Sequence, residues 1–536
     1  MSQIVIENSL LTKAKGFETA NAVYNNWLNS NTYVCVGVES PYAANDSLVP
    51  VPNLSIDYIN NIFKNIIGIK KIIASDLAFV IPRIDWQTGT TYSQWDDQVD
   101  MYTYLKFTQL DGTVNVNNSR TVIGTNTSFN TQLTTGQLVY LPGDGEYVAP
   151  QTLQVTDVFS NTSLNVNTSF SGSFISNNIY SVSNTYPDYT NQFYVRNAYD
   201  QIFVCLYNNN GAASNVMPQI SLGGQLPESP WILTADGYKW KYLYTIPPGQ
   251  KQKFFSSDWM PVYSDEAAVS TAVDGRLDII LIEAPGTAYN QNLASNSASI
   301  ISITGDGTGA NVTAVVNSTG SIVGVNILDG GQGYHYANVV VQGNGTGANL
   351  RAIIGPPGGH GFDPLNELGV NSLILSQTFA GGENGTIPTV PSVGSEQFSY
   401  RQISLLQNPL LTSGNTASNT NYSTVSFVSV QPPGGGQYFH IDETVYQGSS
   451  LSQATFSATV VYWDDVNFIL WLNNIQGTFT PQSAIVGTVQ TNPVTAFTLT
   501  PSVVDLFSGK ILYTNNILPV VRNTNQTEQV RVIFNY

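Results

Sequence analysis

Apolar residues in the first hundred positions fall at helical spacing and at strand spacing in turn. From Ser55 to Ile67, the residues Ile56, Ile59, Phe63 and Ile66 recur at the interval that puts them on one helix face, which predicts a helix. Ser55 can cap its start and Gly68 can end it. A second helix is predicted over Phe17 to Leu28. Thr32 to Val38 reads as a strand between them. Leu77 to Ile81 is a continuous apolar run, the pattern of a strand buried on both faces. Pro82 lacks a ladder donor and ends it. Arg83, Asp85 and Trp86 follow at once, which sets an ion pair and a large ring at the mouth of a buried strand.

Beyond Phe107 the texture changes. Residues 108–182 alternate polar and apolar with frequent turn signals, such as Gly124-Thr-Asn and Pro142-Gly-Asp-Gly, and read as an inserted β module. Residues 183–275 return to aromatic-rich strands. There Tyr238, Trp240, Tyr242 and Tyr244 project from one strand face and Lys239 and Lys241 from the other. That face is either aromatic core or an interface surface, where Tyr and Trp are enriched. Residues 276–355 hold an internal repeat: the fourteen residues from Ile303 match those from Val341 at seven positions, and Gly286 to Tyr289 answers Gly331 to Tyr334. Each copy reads as strand, Gly-rich turn, strand. Residues 356–430 resume the core after the connector Pro356 to Gly361. Residues 431–502 form a third module, with a hairpin expected about Asp464 and Asp465. Residues 503–536 supply closing strands. The expected fold is mainly β: a multi-domain, sandwich-like core of discontinuous segments (1–107, 183–275, 356–430 and 503–536), few short helices, and small inserted β modules.

Composition agrees. Of 536 residues, only 10% are charged, and the polarity comes from Asn, Ser, Thr, Gln and Gly, which favour turns over helix interiors. Net charge is −17. With 19 Lys and Arg in all, a cationic nucleic-acid surface is not expected, nor is attraction to an anionic membrane. No apolar stretch reaches the length of a membrane span; Ile62 to Pro82 is broken by Lys64, Lys70, Lys71 and Asp76. No signal peptide is expected from the first residues. Cys35 and Cys205 sit in apolar runs and read as buried thiols, with a disulfide as the alternative.

The pattern offers little chemistry. His335, His360 and His440 lie far apart, and no His or Cys pair has zinc spacing. Gly305-Asp-Gly-Thr-Gly lacks the Lys-Ser/Thr of a phosphate loop, and Tyr334 stands where a calcium-binding repeat needs Asp. Tight β turns explain both. Asp96-Asp97 and Asp464-Asp465 read as solvated turns whose neighbours point apart. No enzyme, metal or cofactor is expected.

Four strings in order carry a family resemblance: Asp76 to Trp86; Asp236 to Pro248; Tyr400 to Leu410; and Ser508 to Val521 followed by Gln526 to Glu528 and Val530 to Tyr536. Together these resemble the baseplate wedge subunit of T-even-type contractile-tailed phages, the gene-product-eight family. The chain departs where the family shows Asn-Arg-Pro-Pro, having Asn516, Ile517, Leu518 and Pro519. The resemblance spans about half the chain and leaves the three β modules outside it. It implies a structural virion protein of the tail baseplate, assembled in host cytoplasm, that forms a homodimer and docks other wedge proteins. Arg83, Trp86, Tyr238, Trp240, Tyr242 and Arg401 are the interface candidates. The alternative is a host-surface glycan-binding tail protein, with the aromatic, Asn-rich module 436–497 holding the sugar.

Overall fold

A computed structural model describes residues 4–7, 13–38, 42, 49–53, 55–97, 106–141, 151–170, 172–183, 192–221, 231–289, 301–389, 398–434 and 439–536. The turn expected at Pro142 to Gly145 lies outside them. Of these residues 47% are strand and 12% helical, so the protein is mainly β with several sheets and a closed barrel. The chain divides into two compact units, one chiefly Thr19–Ala78 with Leu373–Phe534, the other chiefly Phe79–Ser372.

In the first unit, five antiparallel strands lie in the order Asn421–Ser423, Ile66–Lys71, Thr32–Gly37, Ser399–Gln407, Lys510–Val521. Thr32–Gly37 is buried along its whole length, as its apolar run requires. The helix predicted near Ser55 spans Ile56–Asn65, and the Ser55 hydroxyl accepts from the Tyr58 N–H. Two details differ from expectation. Ile62 and Phe63 are its buried residues while Ile56 is 77% exposed. The helix also ends at Asn65, and Gly68 lies inside the next strand, where a Cβ would come within 2.6 Å of the Ile387 side chain. Close packing, not helix termination, explains that glycine.

Six strands between Ser426 and Thr500 close into a barrel around Val428, Phe456, Val460, Leu472 and Ile485. The hairpin at Asp464 joins Phe456–Asp464 to Ile469–Gly477, and the Asp464 carboxylate accepts from the Val466 and Asn467 N–H groups.

In the second unit, Tyr194–Arg196, Gln201–Tyr207, Lys239–Thr245 and Ile232–Leu233 make an antiparallel sheet over a large aromatic core. The strand Leu77–Pro82 pairs with Trp259–Pro261, Pro82 being the last paired residue. Residues from Lys106 to Ser183 build an eight-stranded sheet with its own core, including Val114, Phe129, Val139 and Leu164.

The repeat folds differently from two successive hairpins. Leu277–Thr287 of the first copy pairs with Thr346–Ile354 of the second, and Ile322–Gln332 of the second pairs with Thr308–Val316 of the first. The two pairings have equivalent registers: Leu277 opposite Ile354 answers Ile322 opposite Val316, and Pro285 opposite Ala348 answers Gly330 opposite Ala310. Ile301–Gly305 pairs with Ala337–Val341 across the centre. The copies are therefore intertwined about a local pseudo-two-fold. The Tyr289 ring covers Gly345 and the Tyr334 ring covers Gly307, where an added Cβ would meet each ring at 2.4 Å. That contact explains why each Gly-rich turn travels with a tyrosine from the other copy.

Candidate functional site

The strongest cluster of charge grows from the first string. After Pro82 the backbone stays held, the Arg83 N–H donating to the Asp258 carbonyl at 2.8 Å. The Arg196 N–H donates to the Ile84 carbonyl and the Trp86 N–H to the Arg196 carbonyl, which sets Asp85 beside Arg196. From the second string, Pro248 opens the helix Pro248–Phe254, its fixed φ suiting the first turn. That helix carries Lys251 and delivers Phe255.

The result is an alternating row. Lys251 Nζ donates to Asp200 Oδ2 at 2.9 Å, Arg196 bridges Asp200 and Asp85, and Arg83 Nε donates to Asp85 Oδ2 at 2.8 Å. The three cations surround one half-buried phenyl ring, 4.7, 4.8 and 5.5 Å from the Phe255 centroid for Arg83, Arg196 and Lys251. Such cation–ring contacts gain as water is excluded. Burial pushes the Asp85 carboxyl up, but hydrogen bonds and charge from Arg83 and Arg196 outweigh it and hold the group below its usual value. Three cations and two carboxylates leave the row net positive, in a chain of net charge −17. Lys251 is 42% exposed and spends one ammonium donor on Asp200, and Tyr199, the residue before Asp200, is exposed.

Of the expected interface residues, Arg83 belongs to this row. Trp86 is half-buried against the same core, its Nε1 donating to Ser214 Oγ at 3.1 Å, which donates on to Asp236. Tyr238, Trp240 and Tyr242 are not on an exposed face. All three are buried, with Tyr238 stacked on Trp240 at 5.4 Å and the Tyr242 hydroxyl donating to Asp265. Lys241 on the opposite face is buried too, so the aromatic strand is core on both sides. Arg401 lies in the other unit, half-buried on Ser399–Gln407, with Nη1 donating to Ser399 Oγ.

Sequence reading missed Arg196, Asp200, Lys251 and Phe255. The i,i+4 pair Arg196 and Asp200 was the available signal, since so few charges occur at all. It also misread Asp96 and Asp97. Both carboxylates turn onto the Arg351 guanidinium, which Glu283 also contacts, because one sparsely exposed cation draws three anions.

Cys35 and Cys205 are buried free thiols, and burial pushes both thiol pKa values up. His360 is buried against Glu367 at 2.7 Å, and His335 is exposed beside Asp306. Among the described residues no three His, Cys, Asp or Glu side chains converge on a metal-sized site, and no helix is long and apolar enough to cross a membrane. No family model matches the chain, and no curated protein matches it in sequence.

Proposed function

We propose that this protein is a structural subunit of a contractile-tail baseplate wedge, acting as a dimeric scaffold in the virion that docks neighbouring wedge proteins. The observation that carries the reading is where the four family-like strings lie. The first two share one aromatic core, Ile81 and Ile84 of one packing in the same cluster as Tyr238, Trp240 and Tyr244 of the other. The last two, more than a hundred residues apart, are neighbouring strands, with Ser404 opposite Thr514 and Leu405 opposite Tyr513. The strings thus build core sheets, and the first also supplies Arg83 and Asp85 to the charged row, as a scaffold with specified docking points needs. Exposed Tyr199, Leu233, Tyr263 and Phe362 in the second unit supply the apolar area that permanent interfaces use. The test is co-expression with neighbouring tail genes. A dimer co-purifying in a larger complex is expected, and Arg83→Ala should reduce that assembly more than it reduces solubility. A monomer by light scattering at micromolar concentration, with nothing co-purifying, would overturn the reading. The second reading, glycan binding, is favoured by one specific cleft in the first unit.

A further inference from the structure

Between the end of the helix Ile56–Asn65, the barrel strand Ile469–Gly477 and Phe507 lies a cleft of about 290 Å³. Its wall has three features. The carboxamides of Asn473, Asn474 and Gln476 line it, and no carboxylate does, although the chain carries 36 acids. Asn473 is 8% exposed and ties the strand to the helix end, its Nδ2 donating to the Lys64 carbonyl at 3.3 Å. Leu506 and Phe507 add apolar surface, and Phe507 is 58% exposed yet braced by the Phe63 ring at 6.0 Å.

Each feature asks something of an occupant. Asn474 and Gln476, on the exposed end of the strand, carry carboxamide oxygens, so an occupant with O–H or N–H donors is matched there. The carboxamides offer donors and acceptors side by side, which suits vicinal hydroxyls. Phe507 matches a flat C–H face. Lys64 supplies the one charge in the wall, so an acidic occupant meets a cation there and is repelled elsewhere by a chain of net charge −17. The volume sits at the small end of ligand pockets, room for one ring.

We propose that this cleft binds one hexuronate residue of an acidic polysaccharide, the ring face on Phe507, the hydroxyls on the carboxamides and the carboxylate on Lys64. Assembly and sugar binding rest on different residues, so a failed co-purification leaves this inference standing, and the reverse holds too. The experiment is saturation-transfer NMR on the full chain with glucuronate, and with glucose as the neutral control. Saturable transfer to the glucuronate ring protons is expected, with weaker binding of glucose. Lys64→Gln should weaken glucuronate about tenfold, the loss of one charge-assisted contact. Phe507→Ala should remove transfer to the ring C–H protons. Phe507 is exposed and Lys64 half-exposed, so an unchanged melting temperature verifies that each variant is folded. Absence of saturable glucuronate binding, equal binding of the two sugars, or wild-type binding by both variants would overturn the proposal.

Discussion

Replacing Asp85 by Asn tests whether the charged row works as an alternating unit. Asp85 Oδ1 accepts from Arg196 Nε, while Oδ2 accepts from Arg83 Nε and Nη2. Asn offers one acceptor oxygen, so one guanidinium must face an NH₂ group. Hydrogen bonds to charged groups are worth about 1.5–3 kcal/mol, and partial exposure of Asp85 puts this loss near 2 kcal/mol. A second cost follows from geometry. Arg83 and Arg196 each lie within 5 Å of the same ring centre, hence no more than about 10 Å from each other. Unscreened, two such cations repel by ~0.4 kcal/mol in water and ~1.7 kcal/mol at an effective dielectric of 20. Asp85→Asn should therefore cost about 3 kcal/mol, and Arg83→Met about 1 kcal/mol, since Asp85 keeps Arg196. The double variant restores the original charge sum and lets the Asn oxygen face Arg196. It should be roughly 1 kcal/mol more stable than Asp85→Asn alone, a non-additivity that neighbours show and distant sites do not. The assay is urea unfolding followed by tryptophan emission, compared at matched slopes. Added salt should narrow the gap between the two variants. A double variant as unstable as the two single losses combined would refute the alternating account.

Acid should erase part of the same effect. The Asp85 carboxyl is held below its usual value when folded, so its stabilisation is present above the unfolded value of about 3.9 and fades as pH falls through the folded one; wild type and Asp85→Asn should converge on acidification, read by unfolding midpoints against pH. The pseudo-two-fold predicts that Gly307→Ala and Gly345→Ala lower the melting temperature by similar amounts, since each Cβ would strike a tyrosine ring at 2.4 Å, and a large difference would argue against equivalence. Trp240→Ala should cost about 3–5 kcal/mol as a core cavity and remove soluble protein altogether; soluble protein that fails only in assembly would return Trp240 to the interface.

Much of the fold was legible because it is local. The apolar runs at Thr32 and Leu77 are strands, the Ser55 helix starts at its cap, and the Asp464 hairpin turns where two acids interrupt β-branched residues. What stayed hidden was pairing. Nothing in a strand of the repeat says that it pairs with the other copy, because an intertwined dimer-like fold and two hairpins bury the same alternating positions. The candidate site was half legible for a related reason. Arg83 and Asp85 are two residues apart, and Lys251 and Phe255 one helical turn apart, but only tertiary structure brings those two pairs and Arg196 together. The aromatic strand shows the converse limit. Alternation marks which residues share a face, and only the fold tells whether that face meets water, which for Tyr238 and Trp240 it does not.

The three β modules share one geometric property, and it makes a prediction. In each, the bounding strands are partners, the third module opening with the strand Ser426–Val430 and so earlier than the 431 expected: Lys106 lies opposite Ser183, Leu277 opposite Ile354, and Phe427 opposite Thr500. A segment whose ends are hydrogen-bonded neighbours spans almost no distance in the rest of the chain, so the chain can close without it at the small entropy of a short loop. The sheet of Lys106–Ser183 also keeps its own core, running from Leu110 to Ile179, and none of its described residues joins the aromatic core of its unit. Replacing residues 106–183 by a short Gly-Ser linker should leave that aromatic core intact. The readout is direct, because none of the eight tryptophans falls within the excised segment. Emission wavelength and unfolding midpoint of the remaining tryptophans should match those of the full chain. A red-shifted, non-cooperative product would mean that the sheet braces its unit and is not a separable addition to it.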